Sequence, residues 1–89
     1  MKDTKGKAKW DLLPWDLVEQ TVDVLTFGAD KYAPESWRQE TKSDDYFAAL
    51  MRHIVAYRKG EVIDPESGKT HLAHAMCNLI FIHELENKR

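Results

Sequence analysis

The chain has 89 residues, 43% of them hydrophobic, enough for one domain but in a size range where a limited share of the surface is buried and a second copy is invited. Its 13 basic and 15 acidic residues give a formal charge of -2, so there is no global positive field to hold a nucleic-acid polymer. A lone cysteine, Cys77, rules out an intrachain disulfide, and the longest apolar run, residues 79–82, is far too short to span a membrane.

Residues 1–9, MKDTKGKAK, are lysine-rich and predict a mobile basic arm. No apolar run follows that would form a signal-peptide core, so an untargeted cytoplasmic protein is expected. Residues 10–89 read as a single helical domain. A first helix is expected from Pro14 to Tyr32, with Pro in the first turn, Asp16 and Glu19 at the positive end of the dipole, and Val18, Val22, Leu25 and Ala29 at helical spacing. Gly28 is a place where it loosens or ends early. Residues 33–42 read as a loop pinned by Trp37. A second helix is expected from Asp44 to Lys59, with Phe47, Leu50, Met51, Ile54 and Tyr57 recurring at helical spacing and Gly60 as its stop. EVIDPESGKT, residues 61–70, is a tight connection, which makes the second and third helices antiparallel neighbours. The third helix runs from His71 to Leu85 behind the cap residue Thr70, with Leu72, Met76, Leu79 and Ile80 along one side. Being apolar over more than one face, it is expected at the centre or at an interface. The fold class is all-α, a small bundle of three main helices completed by oligomerisation.

Polar groups at helical spacing within these apolar surfaces are the candidates for chemistry. His71, His74 and Asn78 fall within about 60° of one another on the third helix. His53 shares a face of the second helix with Tyr46, Ala49, Leu50 and Tyr57, which turns it toward the bundle or a cleft. The short connection sets His53 and Asn78 at comparable height, so the three histidines can converge. Neutral imidazoles bind divalent transition metals, and two histidines three apart on one helix are workable ligands. The competing reading makes His71 a cap and His74 a hydrogen-bonded core residue, with Asn78 satisfying a backbone group.

On the first helix Asp16, Glu19, Asp23, Thr26 and Asp30 form a band about 80° wide that either holds Mg²⁺ or Mn²⁺ through oxygen ligands or is simply a solvated acidic face. Glu61, Asp64 and Glu66 add carboxylates next to the third helix, although an Asp before Pro is most often a turn residue. Trp10, Trp15, Tyr32 and Trp37 bracket the first helix. They either stack on a base while Lys9, Lys31 or Arg38 meets phosphate, or they anchor the core.

The segments KAKWDLLPWDLVEQ, LTFGADKY, LMRHIVAYRKGE and DPESGKTHLAHAMCNLIFIHELE together resemble the dATP/dGTP diphosphohydrolase N-terminal family, found largely in phages. The resemblance implies removal of pyrophosphate or phosphate from purine deoxynucleotides, in the cytoplasm of an infected host. A weaker likeness links the chain to MazG-like all-α pyrophosphohydrolases, which generally form dimers or tetramers and whose helices carry E-x-x-E and E-x-x-D metal ligands. Here His71-x-x-His74 stands in the place of E-x-x-D, and His53 lies near the other pair.

Taken together, residues and resemblance suggest a metal-dependent hydrolase converting purine dNTPs to dNMPs with Mg²⁺ or Mn²⁺, or Co²⁺. His53, His71, His74 and Asp64 are the candidate metal ligands, Glu19 a further carboxylate helper, and Asn78 an orienting group. Lys9, Trp10, Lys31 and Trp37 are the candidates for holding the nucleotide. Two other functions fit the same residues: a binder that sequesters a nucleotide or nucleotide signal without hydrolysing it, and a structural helical module.

Overall fold

A computed structural model describes residues 5–39 and 42–87 as three α-helices: α1 (Asp16–Lys31), α2 (Asp44–Arg58) and α3 (His71–Glu86). The all-α bundle anticipated from the periodicity is the one that forms. Residues 1–4 of the expected arm, residues 40 and 41 of the expected loop and residues 88 and 89 lie outside the described residues. Residues 5–9 are exposed.

Proline chemistry sets the first boundary. Leu13, preceding Pro14, is extended at ψ 120°, because the Pro ring disfavours the helical region one residue upstream. A 3₁₀ turn over Trp10–Leu12 lies ahead of it, and α1 starts at Asp16, two residues later than expected. Gly28 neither loosens nor ends α1; the helix continues to Lys31 and closes with the Tyr32 N–H on the Gly28 carbonyl. Within the segment expected to be a loop, residues Ser36–Gln39 form a 3₁₀ turn that presses Trp37 onto Phe81, ring centroids 4.7 Å apart. Helix α2 ends at Arg58, followed by Gly60 at φ 102°, a left-handed conformation that glycine adopts without a Cβ clash. Thr70 caps α3 as expected, its hydroxyl oxygen accepting from the Ala73 N–H at 3.1 Å while donating to Gln20 Oε1 at 2.7 Å.

Side-chain pairs show how α2 and α3 run. Ser43 bonds Glu86, Tyr46 meets Phe81, and His53 meets both His74 and His71, so advancing along α2 means retreating along α3. The pair is antiparallel. Helix α3 lies between α1 and α2, the central position its composition called for. The buried cluster is small: Val24, Ala73 and Cys77, with Leu25 and Phe81 against it.

The faces of two helices differ from the expected ones. On α1, Val22 is 54% exposed and the inward face is Thr21 and Val24. Thr21 can be buried because its hydroxyl donates to the Leu17 carbonyl of its own helix at 2.7 Å, leaving no unpaired polar atom. On α3, Leu72, Leu79 and Ile80 face outward and the small residues Ala73, Ala75 and Cys77 face in, allowing close helix approach. Phe47, Met51 and Val55 of α2 are exposed as well. No helix among the described residues is long and apolar enough to cross a membrane.

Candidate functional site

The 61–70 connection folds back on itself, and that geometry builds the site. The Asp64 N–H donates to the Lys69 carbonyl, the His71 N–H donates to Val62, and Gly68 turns the chain at φ 73°. The Asp64 carboxylate then accepts from both the N–H and the hydroxyl of Ser67, at 3.1 and 2.9 Å. The turn therefore aims a carboxylate at the first turn of α3, where His71 and His74 stand, with His53 arriving from α2.

His53 Nδ1 and His71 Nδ1 are 2.8 Å apart, and donor atoms of His53, Asp64 and His71 all lie within 4.8 Å of one another. Bonds of about 2.1 Å to one ion place donor atoms roughly 3 to 4 Å apart, so modest rotations of these three side chains would bring their donor atoms onto one divalent ion. Two imidazoles and one carboxylate form a nitrogen-rich set that suits first-row transition ions better than Mg²⁺. His74 stands just beyond them. Its ring lies parallel to that of His53, centroids 4.5 Å apart and 9° between planes, so the two rings' in-plane lone pairs run side by side instead of converging. Of the four expected ligands, three converge and His74 abuts them through Asp64, its Nε2 3.5 Å from Asp64 Oδ2.

Hydrogen-bond direction fixes the tautomers. Glu61 Oε1, 2.7 Å from His71 Nε2, accepts a hydrogen bond from the Nε2–H, which leaves His71 Nδ1 as the lone-pair nitrogen turned into the site. His71 is 4% exposed, so this pair holds its ring. A carboxylate behind a histidine is the arrangement that orients imidazole ligands at metal centres. For His74, the Ser67 hydroxyl donates to Asp64 and accepts from His74 Nε2 at 2.6 Å, leaving Nδ1 of His74 as its basic nitrogen. Burial pushes the pKa of His53 down, with the neighbouring His74 and His71 adding to the effect. Burial also pushes His74 down, against the partial opposition of Asp64. Both rings are thus kept neutral, the form that offers a lone pair. Burial alone would raise the Asp64 pKa, but the two Ser67 hydrogen bonds and the nearby imidazoles outweigh it and hold the carboxyl below its ordinary value.

A cavity of about 710 Å³ opens beside this group, walled by the end of α1, the 32–37 segment, α2 and α3. His53, His74 and Asn78 reach its wall from one side, Trp37, Tyr46 and Phe81 from another. Asn78 is buried and donates to the His74 carbonyl at 3.0 Å, bracing its own helix. Lys31 also lines the cavity, yet its ammonium is bonded to Glu66 at 2.5 Å, which raises its pKa. Trp37 lines it with its ring already engaged by Phe81 and by the Arg38 guanidinium, 4.4 Å from the ring centre. Trp10, 70% exposed, and Lys9 lie outside the cavity wall. Glu19 is exposed on α1 and outside the histidine–aspartate group, and the rest of its acidic band is exposed too, with Asp23 3.9 Å from Lys69.

Sequence reasoning overlooked Ser67 and Arg52 and named Glu61 only as a carboxylate near the third helix, not as the partner of His71. Ser67 was within reach of it, since an Asp three residues before a Ser in a Pro/Gly turn accepts from that residue's backbone. Glu61 and Arg52 carry no such local signal.

A family model described as dATP/dGTP diphosphohydrolase, N-terminal, matches residues 1–89. The dATP/dGTP diphosphohydrolase of Salmonella phage PMBT28 is 35% identical over 89 residues, an alignment covering 100% of this chain and 30% of that protein. The chain thus spans less than a third of the length of this relative. No solved structure matches the chain.

Proposed function

The chain belongs to the dATP/dGTP diphosphohydrolase N-terminal family, and from that premise we propose that it handles purine deoxynucleoside triphosphates at the histidine–aspartate group, releasing the monophosphate. The observation that carries this reading is the convergence of His53, Asp64 and His71, from α2, the connecting turn and α3, with their donor atoms within 4.8 Å. These three residues hold a divalent cation, Mn²⁺ or Co²⁺ in preference to Mg²⁺ given two nitrogen donors. Such a cation, when bound, supplies Lewis acidity toward a phosphoryl oxygen and lowers the pKa of water.

The side chains supply the rest. Water oxygen bonds to the α-phosphorus, and the bond from that phosphorus to the oxygen bridging to the β-phosphorus breaks. Pyrophosphate leaves with the electron pair. The proton lost by the water passes to Nδ1 of His74, the nitrogen left basic by the Ser67 contact. Ser67 keeps Asp64 in place, Glu61 keeps His71 in the required tautomer, and the 710 Å³ cavity receives the nucleoside. The outward Leu72, Leu79, Ile80, Phe47 and Met51 support assembly into a homo-oligomer working in the host cytoplasm.

Incubation of the purified protein with each dNTP and Mg²⁺, Mn²⁺ or Co²⁺, followed by chromatography, tests the reading. Metal-dependent dAMP or dGMP with pyrophosphate is the expected result. Nucleotide-induced thermal stabilisation with no product moves the function to sequestration, a second reading favoured by histidines standing where carboxylate pairs are expected.

A further inference from the structure

The charges around the cavity are unequally occupied. Lys31 is bonded to Glu66, and Arg38 to Glu35 at 3.0 Å. Among the described residues the ion pairs involve Lys31, Arg38, Lys69, His71 and His74, and none involves Arg52. Arg52 lines the cavity from α2, directly before His53, and its positive charge is felt at the His53 ring. Arg52 and His53 line the same cavity, and an arginine side chain is long and flexible, so its guanidinium has the space beside His53 within reach.

Resting on the hydrolase reading above, we propose that Arg52 forms a diphosphate subsite: its guanidinium binds the β- and γ-phosphates of the nucleotide, the part that leaves as pyrophosphate. A planar fork of N–H donors matches two phosphoryl oxygens at once, which an ammonium does not. An unpaired guanidinium has no carboxylate to give up on binding. Lys31, by contrast, must exchange Glu66 for phosphate, so the anchoring falls to Arg52 and Lys31 contributes less. With the α-phosphate at the histidine–aspartate group, Arg52 offsets the charge that builds on the departing pyrophosphate.

Calorimetric titration of the whole chain with inorganic pyrophosphate, and with dGTP, in the presence of Mn²⁺ tests this. Arg52 is exposed, so Arg52→Ala leaves the helix intact, which circular dichroism verifies. Arg52→Ala is expected to bind pyrophosphate roughly tenfold to a hundredfold more weakly. Arg52→Lys restores only part of the loss, and Lys31→Ala loses less than Arg52→Ala. If the wild type binds pyrophosphate or dGTP while Arg52→Ala binds it equally well, or Lys31→Ala loses as much, the subsite is not at Arg52 and the hydrolase reading stands. Wild-type protein that binds neither ligand overturns both.

Discussion

His53 Nδ1 lies 2.8 Å from His71 Nδ1 although the residues are 18 positions apart and on different helices. His71 Nε2–H donates to Glu61, so in the contact between the rings His53 donates and His71 accepts. An ion held by both rings would take the place of the shared proton, with a tautomer shift at His53 and a turn of the rings so that both lone pairs meet it, and His71 already has Nδ1 unprotonated. Glu61→Gln removes the obligatory acceptor behind His71. Its affinity for Mn²⁺ should fall about 10- to 100-fold, the usual effect of losing a carboxylate behind a ligating histidine. Calorimetry on both proteins checks this, and equal affinities would show that Glu61 does not orient His71.

His74 adjoins the three converging residues and carries the basic nitrogen. His74→Ala should abolish turnover of purine dNTPs while leaving helicity largely intact, since alanine suits a helix and His74 lines the cavity outside the buried Val24–Ala73–Cys77 cluster. Product chromatography read beside far-UV circular dichroism separates lost chemistry from lost fold. Undiminished turnover in this variant would take His74 out of the mechanism.

Thr70 joins two elements through one hydroxyl, capping α3 and donating to Gln20 on α1. Thr70→Ala should cost about 1 to 2 kcal/mol in urea unfolding, the range for a lost N-cap. Thr70→Ser, which keeps the hydroxyl, should recover most of it.

Cys77 is buried beside Val24 and Ala73, and burial pushes its thiol from 9.0 up to about 11. In the native protein it should resist alkylation at pH 8 and react on adding denaturant. The unfolded chain gives up this proton near 9.0 and the folded one near 11. The folded state therefore holds more protons in that window, and the stability this thiol contributes is present below pH 9 and lost as pH rises toward 11. Urea midpoints across the window should fall more steeply for wild type than for Cys77→Ala; parallel slopes would contradict it.

The parts of the molecule readable beforehand were those written in local periodicity. Phe47 to Tyr57, the Thr70 cap and the Asp-Pro/Ser-Gly turn each carry their own signal, and the antiparallel α2–α3 pair with His53 opposite His71 and His74 follows from them. Faces decided by pairing were harder. Thr21 reads as polar, yet its hydroxyl is satisfied within α1 and the residue is buried, which rotates the helix and leaves Val22 in solvent. Glu19 and Trp10 fit their expected roles in residue type but not in position, because α1 turns its acidic band outward and residues 10–12 lie away from the cavity. The pairing of Glu61 with His71 was hidden because it is set by the path of the 61–70 turn, which no spacing rule encodes, whereas the Asp64–Ser67 contact is local and was readable.

The most direct test of a transition-metal site built by His53, Asp64 and His71 is a Co²⁺ titration followed by visible absorption. Wild-type protein should develop d–d bands saturating at about one Co²⁺ per chain, as expected for imidazole and carboxylate ligation. His71→Ala and Asp64→Asn, each verified as folded, should not develop them at the same concentrations. Bands of equal strength in both variants, or none in the wild type, would contradict the assignment of the metal to these residues.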